Sequence, residues 1–436
     1  MDCLVFAPEI TSRIRYTFKT IFQEFFGLET GFTHDLETFR SFQGLKINYS
    51  HENCHPEEVF IVPCGLLSEQ GIRKFELAVE FEKGLPYFFK TDNTSTDVAY
   101  DIPAMVFFML TRYEEYWEFK GDRFGRFTAK ESLAGKYDFL KIPVVNLWVE
   151  EIRKALLNKF PEITLQESDY GFQPTYDIDL AWAFSNRGWR GTAGWIKDLL
   201  RLDLKKVRSR NLSRQDTTKD PFHVYDFLKG IHEQFDLNPI WFFLIGNYGG
   251  IDKCINWKNA EFRALIKTVA PEGFIGIHPS NASNDDFSLL EKEIMKLIVI
   301  KKGPVFKSRQ HYLRTSFPNT YQGLLRAGIQ EDYSMGFADD IGFRAGIAGD
   351  YAWYDLENET ETPLRIFPFQ VMDVTLKKYL SLSPGDAVQA VEELINQVKK
   401  SGGVFSTLWH NSSFSVLHGW SGWEEVYREI IMLAKN

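Results

Sequence analysis

Apolar and polar positions along this chain follow two periods. Between residues 12 and 26, Ile14, Phe18, Ile21, Phe22 and Phe25 recur at three- and four-residue spacing, which predicts a helix with Thr11 or Ser12 as its N-cap. Residues 101–117, with Pro103 near the first turn, and residues 142–160 read as further helices. The short apolar runs at 4–7 and 59–63 read as strands, the second closed by Pro63. After residue 170 the pattern changes: unbroken apolar runs at 239–245, 274–278 and 404–410 fit strands of a parallel sheet buried on both faces. Helical stretches at 221–235, 261–269, 289–300, 319–327 and 387–402 alternate with them and with extended segments near 308–314, 333–337 and 364–372. This alternation predicts an α/β barrel or a doubly wound sheet over residues 170–436, preceded by a smaller α/β domain over 1–165 whose role the pattern does not state.

One strand end stands out, Pro174-Thr175-Tyr176-Asp177-Ile178-Asp179-Leu180. Side chains alternate faces along a strand, so Asp177 and Asp179 point the same way. Two adjacent carboxylates are costly unless a cation or a shared proton relieves them. His278 and His410 each end an apolar run, and His311 lies in Ser308-Arg309-Gln310-His311-Tyr312. Ligands of α/β folds bind beyond the carboxyl ends of the strands, so polar groups collected there make a candidate site.

Charge and composition narrow the classes. A net charge of −9 argues against a dedicated nucleic-acid binder. A local basic stretch, with Lys205, Lys206, Arg208, Arg210 and Arg214, reads as a solvated helix and loop, or more sharply as a contact for an anionic polymer or a membrane surface. The four cysteines lack metal or disulfide spacing. The N-terminus has no basic segment followed by a long apolar one, and no apolar run approaches the ~20 residues that span a bilayer, so a cytoplasmic protein without an integral membrane segment is expected.

Five segments, in order, resemble the motifs of NodB-type polysaccharide deacetylases, carbohydrate esterase family 4: Thr175-Tyr176-Asp177-Ile178-Asp179, Trp241-Phe242-Phe243-Leu244-Ile245-Gly246, Gly276-Ile277-His278-Pro279-Ser280, Gly342-Phe343-Arg344-Ala345-Gly346 and Leu408-Trp409-His410. The extra N-terminal region resembles that of a bacterial subgroup of deacetylase-like proteins. The resemblance implies a distorted (β/α) barrel of the NodB type. It implies Asp179 and His278 as ligands of a divalent cation, usually zinc, and Asp177 as general base toward the attacking water. It further implies His410 as general acid and Arg344 as the cation that holds Asp177 ionised. In this family a second histidine follows the first by four residues; here that position is Ala282, and His311 is the candidate replacement. Gly346 stands where many members carry proline.

The implied function is a metal-dependent hydrolase of linear amide C–N bonds that removes N-acetyl groups from a saccharide. Two alternatives stand beside it: a saccharide-binding protein on a deacetylase scaffold with impaired chemistry, and a C–N hydrolase acting on a small non-sugar amide.

Overall fold

The computed structural model describes residues 1–93, 95–269, 271 and 274–436. The N-terminal part carries a four-stranded parallel sheet, β1 (Cys3–Phe6), β2 (Thr30–Thr33), β3 (Leu45–Tyr49) and β4 (Val59–Ile61), in the order β2-β1-β3-β4. Its first helix, Ser12–Lys19, starts where the Thr11 hydroxyl accepts from the Ile14 amide, and it runs on as a π-helical segment, Thr20–Phe25. Helix Ile102–Leu110 is buried along its whole length; Asp101 caps it and also accepts the Tyr49 hydroxyl. A short hairpin, β5 (Glu80–Glu82) and β6 (Leu85–Tyr87), completes this part.

The second sheet contains β7 (Tyr170–Ile178), β8 (Ile240–Leu244), β9 (Ile275–His278), β10 (Lys307–Ser308), β11 (Glu331–Asp332), β12 (Tyr351–Asp355), β13 (Thr360–Ile366), β14 (Val371–Met372) and β15 (Gly403–His410). Its order is β12-β13-β11-β10-β9-β8-β7-β15-β14, parallel throughout except for the antiparallel β12–β13 pair. The fold is therefore α/β with a largely parallel, curved sheet whose ladder does not close into a ring. The gap is bridged by the chain between β13 and β14: Phe367 N donates to Asp332 O, Phe369 N to Met335 O, and Gln370 N to Ser406 O. Because these strands are parallel, their carboxyl ends, including Ile178, His278, Ser308 and His410, gather at one end of the sheet.

Three details depart from the sequence expectations. His311 is not in a strand: β10 ends at Ser308, and His311 opens a tight 3-10 turn in which Tyr312 and Leu313 have φ of 61° and 56°. The strand expected at 333–337 lies earlier, at Glu331–Asp332. The β12–β13 hairpin is additional, and Trp353 on it lies in the core, 1% exposed.

That hairpin packs on the N-terminal part. Tyr16 donates to Ala352 O, the Tyr354 ring lies 5.2 Å from Phe107, and Ser12 and Tyr354 share a 2.7 Å hydrogen bond. A buried ionic link ties the same parts: Glu115 accepts from Arg112 Nε at 2.8 Å and from Arg344 at 2.9 and 2.5 Å. Burial alone would raise the Glu115 carboxyl, but the two guanidinium groups hold it below its ordinary range. No described helix is long and apolar enough to cross a membrane.

Glu115→Ala would leave two guanidinium groups buried without their shared carboxylate. We expect a loss of roughly 3–5 kcal/mol, read as a lower thermal denaturation midpoint. An unchanged midpoint would show that this link does not hold the two parts together.

Candidate metal centre and its cleft

A cleft of about 630 Å³ opens at the carboxyl ends of the parallel strands, bounded by Asp177, Asp179, His278, His311 and His410. This volume lies within the range of small-molecule sites. β7 delivers Asp177 and the turn after it delivers Asp179; β9 and β15 end on His278 and His410. Asp177 and His410 are register partners on adjacent strands. Gly276 is required under this floor, because a Cβ there would lie 2.5 Å from the Phe242 ring and 2.9 Å from Lys307 O.

Asp179, His278 and His311 come together. Asp179 Oδ1 lies 3.3 Å from His278 Nε2 and 3.8 Å from His311 Nε2, and the three donor atoms all fall within 4.8 Å of one another. A tetrahedral ion with bonds of about 2.1 Å separates its donors by roughly 3.4 Å. Asp179 Oδ1 is itself buried without a hydrogen-bond partner. An orphaned carboxylate oxygen facing two ring nitrogens fits a divalent cation, and this His2Asp group can hold one.

The ring orientations follow from what each Nδ1 meets. His278 Nδ1 lies 2.6 Å from Arg309 O, an acceptor only, so Nδ1 carries a hydrogen and Nε2 is turned toward Asp179. His311 Nδ1 donates to Asp252 Oδ1 at 2.7 Å, and His410 Nδ1 donates to Asp373 Oδ1 at 2.8 Å. Asp252 is fixed in turn by the amides of Asn281 and Ala282, and Asp373 by the amide of His410. The position that lacks the expected histidine thus contributes its backbone: Ala282 N–H helps to hold the carboxylate that aims His311.

Electrostatics follow the same pairs. Burial would favour neutral rings, yet Asp179 and Asp252 push His311 up to about 9. For His410 the same opposition, won by Asp373 with Asp179 and Asp177 adding, pushes it up to about 10. Burial would raise Asp179, but His311 and His278 hold it well below the usual carboxylate range. Protons on these rings would therefore compete with a cation for the same nitrogens.

The expectation for Arg344 needs correction. Its guanidinium is bound to Glu115 and to Gly336 O, as part of the link to the N-terminal region. The cation at Asp177 is Arg309, whose Nη1 donates to Asp177 Oδ1 at 3.1 Å and to Thr175 Oγ1 at 2.7 Å, with Nε donating to Tyr333 O. Gly346 beside Arg344 has φ of 67°, which proline cannot adopt, and a Cβ there would lie 2.9 Å from Met109 and Val144.

Arg309, Asp252 and Asp373 were absent from the residues picked out by sequence. Arg309 stood in the segment chosen for His311, one position beyond a strand end; Asp373 directly follows the apolar pair Val371-Met372. Asp252 lies in a loop with no local signal. The cleft also takes Arg123, Phe124 and Arg126 from the N-terminal part. Arg126 Nη1 donates to Tyr312 O at 2.7 Å, and the Phe124 ring stacks on Tyr312 with centroids 4.7 Å apart.

Residues 3–161 match a family model described as "Family of unknown function (DUF7033)". No curated protein matches the chain. Among solved structures, the chain is similar to a protein assigned as a polysaccharide deacetylase from Mycobacterium smegmatis, with a TM-score of 0.40 and 13% identity, over 62% of this chain and 84% of that one.

Asp252→Ala should weaken zinc binding roughly 10–100-fold by freeing the His311 ring, measured by competition with a chromophoric chelator; unchanged affinity would remove His311 from the ligand set. Since a cation must displace the His311 proton, affinity should rise by roughly tenfold per pH unit from neutral pH and level off above about 9. An affinity flat over that window would contradict the assignment.

Proposed function

We propose that this protein is a metal-dependent amide hydrolase that removes N-acetyl groups from a saccharide. The observation that carries the reading is the pairing of Asp177 with Arg309 and of His410 with Asp373 on adjacent strands, beside the His2Asp group. Asp179, His278 and His311 would hold the cation, and two imidazoles with one carboxylate are a donor set suited to zinc. When bound, such an ion supplies Lewis acidity, acidifying a water and polarising the amide carbonyl.

The chain's own groups do the rest. Asp177, fixed by Arg309 and lying 3.7 Å from His278 Nε2, is positioned to take the proton of the attacking water. His410 keeps its Nδ1 on Asp373, so its Nε2 carries the proton that the departing amine nitrogen needs. Its raised pKa keeps that proton in place, and a nearby cation would lower the value toward neutrality, where general acids work best. Phe124, Tyr312 and Tyr379 give the cleft aromatic surfaces for sugar rings. Arg123 and Lys378 also border it and have no carboxylate partner among the described residues, which favours an acylated substrate that also carries an anionic group.

A scaffold that binds saccharide without hydrolysis would rest on the histidine missing at Ala282; the nearness of His311 to Asp179 and His278 supports the hydrolase reading instead.

Asp177→Asn should cut acetate release from N-acetylated sugars by roughly 10²–10⁴-fold while zinc content, measured by mass spectrometry, stays as in wild type. Wild-type protein that holds no metal when zinc is supplied, or a variant of undiminished activity, would refute the proposal.

A further inference from the structure

After β7 the chain leaves the sheet as two helices, Trp189–Leu200 and Leu204–Gln215. They run antiparallel, as shown by Trp195 Nε1 to Asn211 Oδ1 at 2.9 Å and Arg210 Nε to Asp198 Oδ2 at 2.6 Å. The buried residues of the pair are Asp198 and Ser213, whereas Trp189 is 72%, Leu200 78%, Leu202 79% and Leu204 67% exposed. A helix hairpin that merely covers a core buries its apolar stripe; this one exposes its leucines along with its cations.

Its charge is as unusual as its polarity. Residues 187–214 hold nine lysines and arginines and two aspartates, in a chain whose net charge is −9. Arg210 pairs with Asp198 and Lys206 with Asp203, but Lys197, Arg201, Lys205 and Arg208 have no carboxylate partner among the described residues. The turn interleaves the two kinds of group as Leu199-Leu200-Arg201-Leu202-Asp203-Leu204-Lys205-Lys206.

We propose that this hairpin docks the protein on an anionic phospholipid surface. The exposed leucines enter the headgroup–acyl boundary, and the flanking cations meet lipid phosphates. Three arguments favour a bilayer over other occupants. Leu199, Leu200, Leu202 and Leu204 crowd the exposed turn together with Arg201, Lys205 and Lys206, and apolar groups set among cations suit the headgroup–acyl boundary of an anionic bilayer. A symmetric contact with a second copy would set cations against cations. No described helix can span a membrane, so the hairpin would lie on the surface rather than cross it.

The root of the hairpin is tied to the cleft. Asp220 accepts the amides of Ala183, Phe184 and Ser185 at 2.7–2.9 Å, and Asn411, next to His410, donates to Leu180 O and Phe222 O. A surface held by the tip is thus held by the same end of the sheet that opens the cleft. This proposal stands on the hairpin alone and does not require the hydrolase reading.

The test is co-sedimentation of the full chain with vesicles of phosphatidylcholine alone and of equal parts phosphatidylcholine and phosphatidylglycerol. Binding to the mixed vesicles should be tighter by roughly tenfold or more and should weaken with salt. Leu200→Ser with Leu202→Ser, and separately Lys205→Glu with Arg208→Glu, should each reduce it by roughly tenfold or more; the changed residues are exposed and, among the described residues, unpaired, so circular dichroism and the thermal midpoint should stay unchanged. Failure of the wild type to sediment with the mixed vesicles overturns the proposal and leaves an acidic protein partner as the occupant. Binding that neither double variant reduces also overturns it, as does a concentration-dependent dimer that the leucine variant abolishes.

Discussion

One buried guanidinium organises the candidate site. Arg309 is fully enclosed, and through it four strands share one geometry. Its side chain reaches Thr175 and Asp177 on β7 and Tyr333 O just beyond β11, and its own carbonyl accepts the His278 proton at the end of β9. Its amide donates to Ile277 O, and the Phe242 ring of β8 lies 4.6 Å beneath the guanidinium. Burying an arginine is expensive, and burial pulls this one below its ordinary pKa against the opposing pull of Asp177 and Asp332. The cost is offset only while its carboxylate and carbonyl partners stay in place. The same contacts that make the charge tolerable therefore fix where Asp177 and His278 can be.

The imidazoles obey a related constraint. Each of His278, His311 and His410 has its Nδ1 committed to an oxygen that accepts, so each presents Nε2 to the cleft. This needs partners that are themselves immobile, which explains the amides around Asp252 and Asp373. It also sets the charge balance. Asp177, Asp179, Asp252 and Asp373 lie within a few contacts of one another, against one guanidinium. Without a cation, that surplus draws protons onto His311 and His410. A divalent ion at Asp179 would take over the role of the His311 proton and relieve the demand on His410, so metal loading and the acidity of the proposed general acid are coupled.

How much of this was legible in the sequence depends on range. The strand ends that carry Asp177, Asp179, His278 and His410 were readable because period-two alternation and unbroken apolar runs are local signals. The parallel sheet was readable for the same reason. Partner choice was not. Arg344 and Arg309 are both buried arginines, and nothing nearby in the chain says which one meets Asp177, 132 residues from Arg309 in one case, and which meets Glu115, 229 residues from Arg344 in the other. Asp252 was invisible because a loop aspartate becomes significant only when His311, 59 residues later, turns toward it. The left-handed backbone at Tyr312 and Leu313, which directs that turn, has no glycine to advertise it.

The N-terminal part gains a physical role from these misassigned contacts. Arg344 and Gly346, which sequence set beside the chemistry, instead fasten the second sheet to residues 115–145 through Glu115 and through the Val145 amide, which donates to Gly346 O. That fastening presents Arg123, Phe124 and Arg126 to the cleft, where Arg126 holds Tyr312 O and Phe124 lies on the Tyr312 ring. Tyr312 is the immediate neighbour of His311. The wall supplied by the N-terminal part therefore supports the turn that carries one of the three metal-competent groups. Cleft surface and the placement of His311 are joined at that turn, so residues 121–127 belong to the candidate site as much as any strand of the sheet does.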